Sequence, residues 1–369
     1  MKRVILPIAW ATLGAASLNA SGLEHLDGSL DWMATGDVKL GTSLLGASID
    51  IRESSTLDIQ LELSLKEVEY RPNAPIDPLG MDTDLDDTLT GINLALEQNR
   101  ERHRTTLGAS AYKGFRSYSS LWIDEYYRQQ YGLGGLPGVS YEDPDPHGYG
   151  LTASHRYEVL PSSGFLTFSA SYLYDRVAPG YEIEDLGSSF ELTRSETILH
   201  TWTGSVEYEG LINKSARTRQ VASLSKTSTR ELRFSWSGAL NVALGPKWIS
   251  RSTATFATEN PDFEAWSVAQ TFEREFDGDW SVSLTARYYE DTGQIESANL
   301  ISSAAPALET QQLFLTLRRS LAGSESAFSL SFGPYLTDYA ETGIGTERFE
   351  NLYADRDWWW GRFAFRKEF

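Results

Sequence analysis

The sequence contains no cysteine and only five histidines in 369 residues. Without cysteine the chain has no disulfide, no thiolate ligand for a metal, and no residue that a lipoprotein anchor would modify. Basic residues are also scarce, since 32 Lys and Arg stand against 51 Asp and Glu, for a formal net charge of −19. Nucleic acid is therefore not an expected partner, because a protein that neutralises phosphates must be basic.

Beyond residue 20 no apolar run is long enough for a membrane helix. The first twenty residues have the pattern of a secretory signal peptide: Lys2 and Arg3 are followed by a short apolar stretch over 4–16, and Ala20 stands at the expected cleavage site. We expect residues 1–20 to be removed on export and residues 21–369 to form a single domain.

Apolar residues recur at every second position throughout the rest of the chain. Between residues 57 and 65 the odd positions are all Leu or Ile, whereas the even positions are Asp, Gln, Glu and Ser. In a strand such alternation places one set on each face, and a helix would scatter them. The same alternation around Phe234, Leu284, Leu315 and Phe168 predicts an all-β protein.

Short polar turns and longer acidic or Gly/Pro-rich segments connect these strands. The turns are near residues 52–55, 99–103, 160–164, 245–247, 277–279 and 322–326, and the long segments span 71–87, 121–147, 179–195, 292–306 and 341–357. A direct count gives about fourteen strands, but some long segments then fall at the wrong end of the barrel. One more strand within 215–226 and one before Leu44 bring all the long segments to the same end. We expect about sixteen strands, with fourteen and eighteen as alternatives.

The final residues alternate in the same way and end on an aromatic residue. Trp359, Phe363, Phe365 and Phe369 share one parity, and Trp358, Trp360, Arg362, Arg366 and Glu368 share the other. This ending resembles the last strand of the outer-membrane β-barrels of Gram-negative bacteria, whose terminal Phe and preceding alternate apolar residues are read by the barrel-assembly machinery. Two residues depart from the pattern: Gly361 stands where an aromatic residue is common, and Lys367 falls on the lipid parity.

The resemblance implies one closed antiparallel transmembrane β-barrel in the outer membrane. Its implied partners are outer-membrane lipid, lipopolysaccharide and the barrel-assembly machinery, with Phe363, Phe365 and Phe369 as the assembly signal; the sequence predicts no oligomeric state. A soluble secreted β-sandwich or propeller also alternates, but the terminal Phe and the asymmetry of the connections favour the barrel.

Charged residues of both signs fall on the parity opposite the apolar one. We predict that they line a pore, and the alternative is a network of cross-strand ion pairs that fills a narrow barrel. The predicted pore-lining residues are Asp58, Glu62, Glu97, Arg156, Glu158, Glu207, Arg233, Arg287, Arg318, Arg362 and Arg366.

Asp82, Asp84 and Asp86 alternate within the acidic segment over 80–87. Alternate aspartates supply oxygen ligands of the kind that Ca²⁺ or Mg²⁺ prefers, although Asp87 stands where a calcium loop needs glycine. A solvated acidic loop is the favoured interpretation, and a Ca²⁺ or Mg²⁺ site is the alternative.

No arrangement of residues points to catalysis. Ser154 and His155 are adjacent in sequence, but neighbouring residues of a strand point to opposite faces, so the serine cannot use that histidine as its base. We therefore expect no enzyme activity and a porin-like channel for passive diffusion of small hydrophilic solutes. The alternative is a non-transporting structural or surface-binding barrel.

Overall fold

The computed structural model describes residues 23–35, 38–52, 56–72, 85–114, 145–185, 190–228, 230–259, 263–293, 306–321, 326–340 and 355–368. These residues form strands and short connections. None of the described segments is a helix that is long and apolar enough to cross a membrane.

Sixteen strands follow one another along the chain. They are β1 (Leu23–Ala34), β2 (Val38–Arg52), β3 (Leu57–Pro72), β4 (Leu85–Arg100), β5 (His103–Lys113), β6 (His147–Leu160), β7 (Gly164–Asp185), β8 (Phe190–Asn213), β9 (Ala216–Thr227), β10 (Leu232–Gly245), β11 (Trp248–Glu259), β12 (Phe263–Phe276), β13 (Trp280–Asp291), β14 (Leu308–Ser320), β15 (Ala327–Tyr339) and β16 (Arg356–Glu368). The predicted count is confirmed, and β1 and β9 are the two added strands.

Each strand pairs antiparallel with the next, and β16 pairs with β1 to close the barrel. At this seam His25 lies opposite Glu368 at one end and Ala34 lies opposite Trp359 at the other. Closure pairs both edges of each strand within the barrel wall, so the backbone hydrogen bonds there are satisfied without water. Beyond the wall, residues 177–185 of β7 and 190–197 of β8 pair only with each other.

The two ends of the barrel differ in their connections. At the end where β1 starts and β16 ends, strands are joined by tight turns such as 101–102, 214–215, 246–247 and 277–279. The last of these contains Gly278 and Asp279 with φ angles of 83° and 64°, a left-handed pair that reverses the chain within three residues. The longer connections over 73–84, 114–146, 292–307 and 340–355 leave from the opposite end. We call these the turn end and the loop end.

One predicted long connection is wrong. The segment over 179–195 lies mostly in strands, because β7 continues to Asp185 and β8 starts at Phe190, with Asp185 paired to Phe190. The register shifts between Val177 and Gly180, so the hairpin passes an irregularity and then resumes pairing. Pro179 and Gly180 in the sequence suggested a loop, but the pairing continues across them.

The burial of side chains is the reverse of that in a water-soluble protein. Among the described residues, four hydrophobic side chains are buried, whereas eleven polar or charged ones are, including Thr285, Gln312 and Ser331. Leu315 and Leu284 are about half exposed, at 52% and 48%. Side chains converge on the concave inner face and diverge on the convex outer face. The more buried polar side chains therefore lie on the inner face, and the exposed apolar side chains lie on the outer face.

Candidate pore lining

Small hydroxyl side chains cover the middle of the inner face. Neighbouring strands place them opposite one another, and their oxygen atoms lie within hydrogen-bond distance. The pairs are Ser223 with Ser235 at 2.6 Å, Thr255 with Ser267 at 2.6 Å, Thr271 with Thr285 at 2.8 Å and Thr316 with Ser331 at 2.8 Å. Because these side chains are short and neutral, the wall presents a polar surface that protrudes little into the lumen.

Ion pairs occupy the inner face of β4–β12 near the turn end. Glu209 accepts a hydrogen bond from Arg156 at 3.0 Å and also contacts Arg217. Arg219 holds Glu207 through two nitrogen atoms, at 2.9 and 2.8 Å. Two further pairs are Arg104 with Glu97 and Arg251 with Glu273. Because each acid in these pairs contacts an arginine, this wall is close to neutral.

The inner face of β13–β16 is different, because three of its arginines lack such partners in the described part of the chain. Arg287, Arg318 and Arg366 are exposed, and no ion pair is found for them among the described residues. Arg362 lies 3.7 Å from Asp31 across the seam. One sector of the wall therefore carries excess positive charge.

An aromatic pair interrupts this sector. The rings of Phe314 on β14 and Trp360 on β16 lie 5.0 Å apart at 66°, although β15 runs between their strands. Gly333 of β15 makes this contact possible, since a Cβ atom there would lie 2.8 Å from the Phe314 Cβ atom and still closer to backbone. The two rings therefore form a narrow projection on the inner wall.

All eleven residues predicted to line a pore share the inner parity in this register. Five of them contact residues of another strand: Glu97, Arg156, Glu207 and Arg362 lie in ion pairs, and Glu62 accepts a hydrogen bond from Asn93. Asp58 lies directly opposite the acidic Glu97. Arg233 packs on the Phe263 ring, with 4.6 Å to its centroid. The charges of β4–β12 are therefore mostly paired, whereas Arg287, Arg318 and Arg366 have no ion pair among the described residues.

Other predicted sites are only partly within the described residues. Asp82 and Asp84 lie outside them. Asp86 lies in β4, where the structure describes its backbone. In the described ranges no group of three or more His, Cys, Asp and Glu side chains is arranged for a metal ion. Phe363 and Phe365 lie on the outer face, with ring centroids 6.4 Å apart, and Phe369 lies outside the described residues.

The histidines of β5, β6 and β8 point outward. His103 and His155 approach to 3.1 Å between ring nitrogens, and His200 contacts the Tyr172 hydroxyl at 2.8 Å. Ser154 lies on the inner face, opposite to His155, as the strand period requires.

Comparison with solved structures shows similarity of fold. CdiB from Acinetobacter baumannii superimposes with a TM-score of 0.55 at 9% identity, covering 95% of this chain and 60% of that one. A bacterial polysaccharide outer-membrane secretin gives 0.48 at 9% identity, with coverage of 95% and 100%. OccD3 (OpdP) of Pseudomonas aeruginosa gives 0.47 at 9% identity, with coverage of 94% and 91%.

This chain thus spans about 60% of the length of the CdiB chain. No protein-family model matches the sequence, and no characterised protein sequence does. The fold is that of the outer-membrane β-barrel class, as the terminal strand led us to expect.

Proposed function

We propose that this protein is a porin-like channel of the outer membrane of a Gram-negative-type bacterium, through which small hydrophilic solutes diffuse passively. The observation that carries the proposal is the reversed burial: a closed barrel with apolar side chains outside and small polar ones inside. A barrel of sixteen strands encloses enough space for an aqueous channel.

The outer face supports a position in a lipid bilayer. Trp202, Trp236 and Trp266 lie towards the loop end, and Trp248 and Trp280 lie at the turn end. Leucine-rich positions of β3, β4 and β14 lie between the two levels. Aromatic girdles around an apolar band are typical of barrels that span the outer membrane, and short turns then face the periplasm. Export would use the signal peptide expected in residues 1–20.

The inner face supports passage of polar solutes. Thr253 and Thr255 are exposed although they point inward, and so are Glu62, Arg287 and Arg318. Their accessibility indicates hydrated space against several sectors of the wall. Neutral hydroxyls set the character of the middle, and Arg287, Arg318 and Arg366 add a preference for anionic groups on one side.

Single-channel recording tests the proposal. Purified full-length protein inserted into a planar bilayer should give stable, ohmic current steps, and vesicles that contain it should admit small sugars faster than large ones. A folded, heat-modifiable protein that remains electrically silent and leaves the vesicles closed to sugars would instead support the non-transporting barrel.

A further inference from the structure

Positive and negative charges are segregated on the outer rim at the loop end. On β12–β16 the last outward-facing residues are acidic on five consecutive strands: Glu264, Glu290, Glu309, Asp338 and Asp357. Three of them are direct neighbours, since Glu309 pairs with both Glu290 and Asp338. No ion pair is found for these five acids among the described residues. Adjacent like charges are unfavourable, so this sector repels anions.

On β5–β7 three basic residues lie at the level where β5 ends and β6 starts, although β7 continues beyond it. Lys113, His147 and Arg176 lie side by side in the register and face outward, and we call them the cationic row. The Lys113 side chain is 73% exposed. The chain has a net charge of −19, so a row of three adjacent basic side chains on the membrane-facing rim contrasts with the acidic character of the whole protein.

The cationic row already holds one anionic group. Lys113 Nζ lies 2.9 Å from a carboxylate oxygen of Asp145. His147 Nδ1 lies 2.8 Å from the backbone carbonyl oxygen of Asp145 and 3.8 Å from its other carboxylate oxygen. Asp145 precedes β6, and the hydrogen bond from Lys113 lowers the pKa of its carboxyl group, with smaller contributions in the same direction from the charges of His147 and Arg176. All three members of the row therefore favour an oxyanion at this position.

Aromatic side chains lie directly below the cationic row. Tyr149 and Tyr174 stack at 4.6 Å, and the edge of His200 meets Tyr174 at 5.6 Å. One step further from the rim, Tyr172 packs on Trp202 at 4.4 Å, and Trp202 is 62% exposed. Tyrosine and tryptophan prefer the headgroup level of a bilayer, where a polar edge and an apolar ring are both solvated.

The next outward row is unusually small. Ala153, Ala170 and Gly204 are direct neighbours across β6, β7 and β8, and Leu107 and Leu224 flank them. A Cβ atom at Gly204 would meet nothing within 4 Å. These residues form a shallow groove about 15 Å deeper than the cationic row, given the strand rise and tilt. An acyl chain that descends from a headgroup at the rim reaches that depth.

We infer that the outer face of β5–β8 is a binding site for a phosphorylated, acylated lipid of the leaflet at the loop end. Its phosphate contacts Lys113 and Arg176, with His147 between them, and displaces or shares the Asp145 carboxylate. The tyrosines pack against the headgroup, and one acyl chain lies over Gly204. The inference rests on the proposed placement in the membrane but does not require an open channel.

Native mass spectrometry of the full-length protein in detergent micelles tests the site, with bis-phosphorylated lipid A as the probe. The wild-type protein should retain the lipid, and Lys113→Gln with Arg176→Gln should bind it about tenfold more weakly or worse. Glu309→Gln with Asp338→Asn is the matched control on the acidic sector and should bind as the wild type does. Gly204→Leu should weaken binding while leaving every charge in place.

Three results would overturn the inference. Equal retention of dephosphorylated lipid A would show that phosphate is not recognised, and complete displacement of lipid by millimolar inorganic phosphate would show that the site takes the free ion. Unchanged binding by a correctly folded Lys113→Gln/Arg176→Gln variant would remove the cationic row from the site. Current recordings on the same variant separate this outcome from the channel proposal, since its conductance should be unaltered.

Discussion

Trp32 of the first strand covers Gly361 of the last strand on the outer face of the barrel. The two residues pair directly across the seam, and a Cβ atom at position 361 would collide with the indole ring. Four residues away the arrangement is reversed, because the Phe365 ring lies over Gly28, where a Cβ atom would come within 2.6 Å of the ring. Gly361, which departs from the usual aromatic pattern of a terminal strand, thus receives its aromatic ring from β1.

Replacement of Trp32 should weaken the closure of the barrel. We expect Trp32→Ala to lower the free energy of unfolding by about 1 kcal/mol, the scale of an aromatic cross-strand contact, and Gly361→Leu to lower it further through the clash. Urea unfolding in detergent micelles measures both. Phe272→Ala, an outward aromatic far from the seam, is the control; equal destabilisation by all three would mean that the seam has no special role.

The assignment of faces predicts opposite behaviour for two adjacent arginines. Arg318 points inward without an ion pair among the described residues, whereas Arg319 points outward and lies 5.1 Å from the Trp280 ring centroid. Arg318→Gln should raise the permeability of cations relative to anions by about twofold, because it removes an unpaired positive charge from the lumen. Arg319→Gln should leave the reversal potential unchanged. A shift of the reversal potential for Arg319→Gln but not for Arg318→Gln would show that the inner and outer faces are assigned the wrong way round.

Glu209→Gln should change selectivity in the other direction. Arg156 and Arg217 both contact Glu209, so removal of its charge leaves two arginines without their anionic partner. We expect anion permeability to rise by about twofold in reversal-potential measurements. The double variant Glu209→Gln/Arg156→Gln removes one charge of each sign, so its anion permeability should return towards that of the wild type. A double variant as anion-selective as Glu209→Gln would argue against the contact between Arg156 and Glu209.

Because the chain lacks cysteine, single thiols can be introduced to test the wall directly. Thr253 faces the lumen and is exposed, and its neighbour Ala254 faces outward. A negatively charged, water-soluble methanethiosulfonate reagent should react with Thr253→Cys in a bilayer and reduce its conductance. The same reagent should leave Ala254→Cys unmodified, since lipid shields it. Modification of both at equal rates would contradict a lipid-covered outer face at this height.

The contribution of one contact between two turns to the stability of the fold should depend on pH in a predictable direction. Lys247 Nζ donates a hydrogen bond of 2.6 Å to Asp277 between two turns at the turn end, and this bond lowers the pKa of Asp277. A lowered pKa means that the contact stabilises the fold above the unfolded-state pKa and is lost as pH falls through the folded-state value. The carboxyl carbon NMR shift of Asp277 should titrate at a lower pH than in the Lys247→Gln variant. Identical midpoints would show that the contact is absent in solution.

The sequence by itself determined the all-β class, the faces of the strands and the end at which the long connections lie, and it placed the strand number at about sixteen. These features follow from the alternation within each strand and from the turn residues between strands, which are local properties. The parity of all eleven predicted inner residues agrees with the register for the same reason. The hairpin over 179–195 was missed because pairing between strands outweighed the local effect of Pro179 and Gly180.

Only the tertiary structure decided which residues meet across strands. Arg156 and Glu209 are 53 positions apart, and Trp32 reaches Gly361 only because the last strand closes on the first. The cationic row likewise depends on the register that aligns Lys113, His147 and Arg176 from three strands. Alternation fixes the face on which a side chain lies, but the relative shift of paired strands fixes its neighbours, and that shift is a property of the closed barrel.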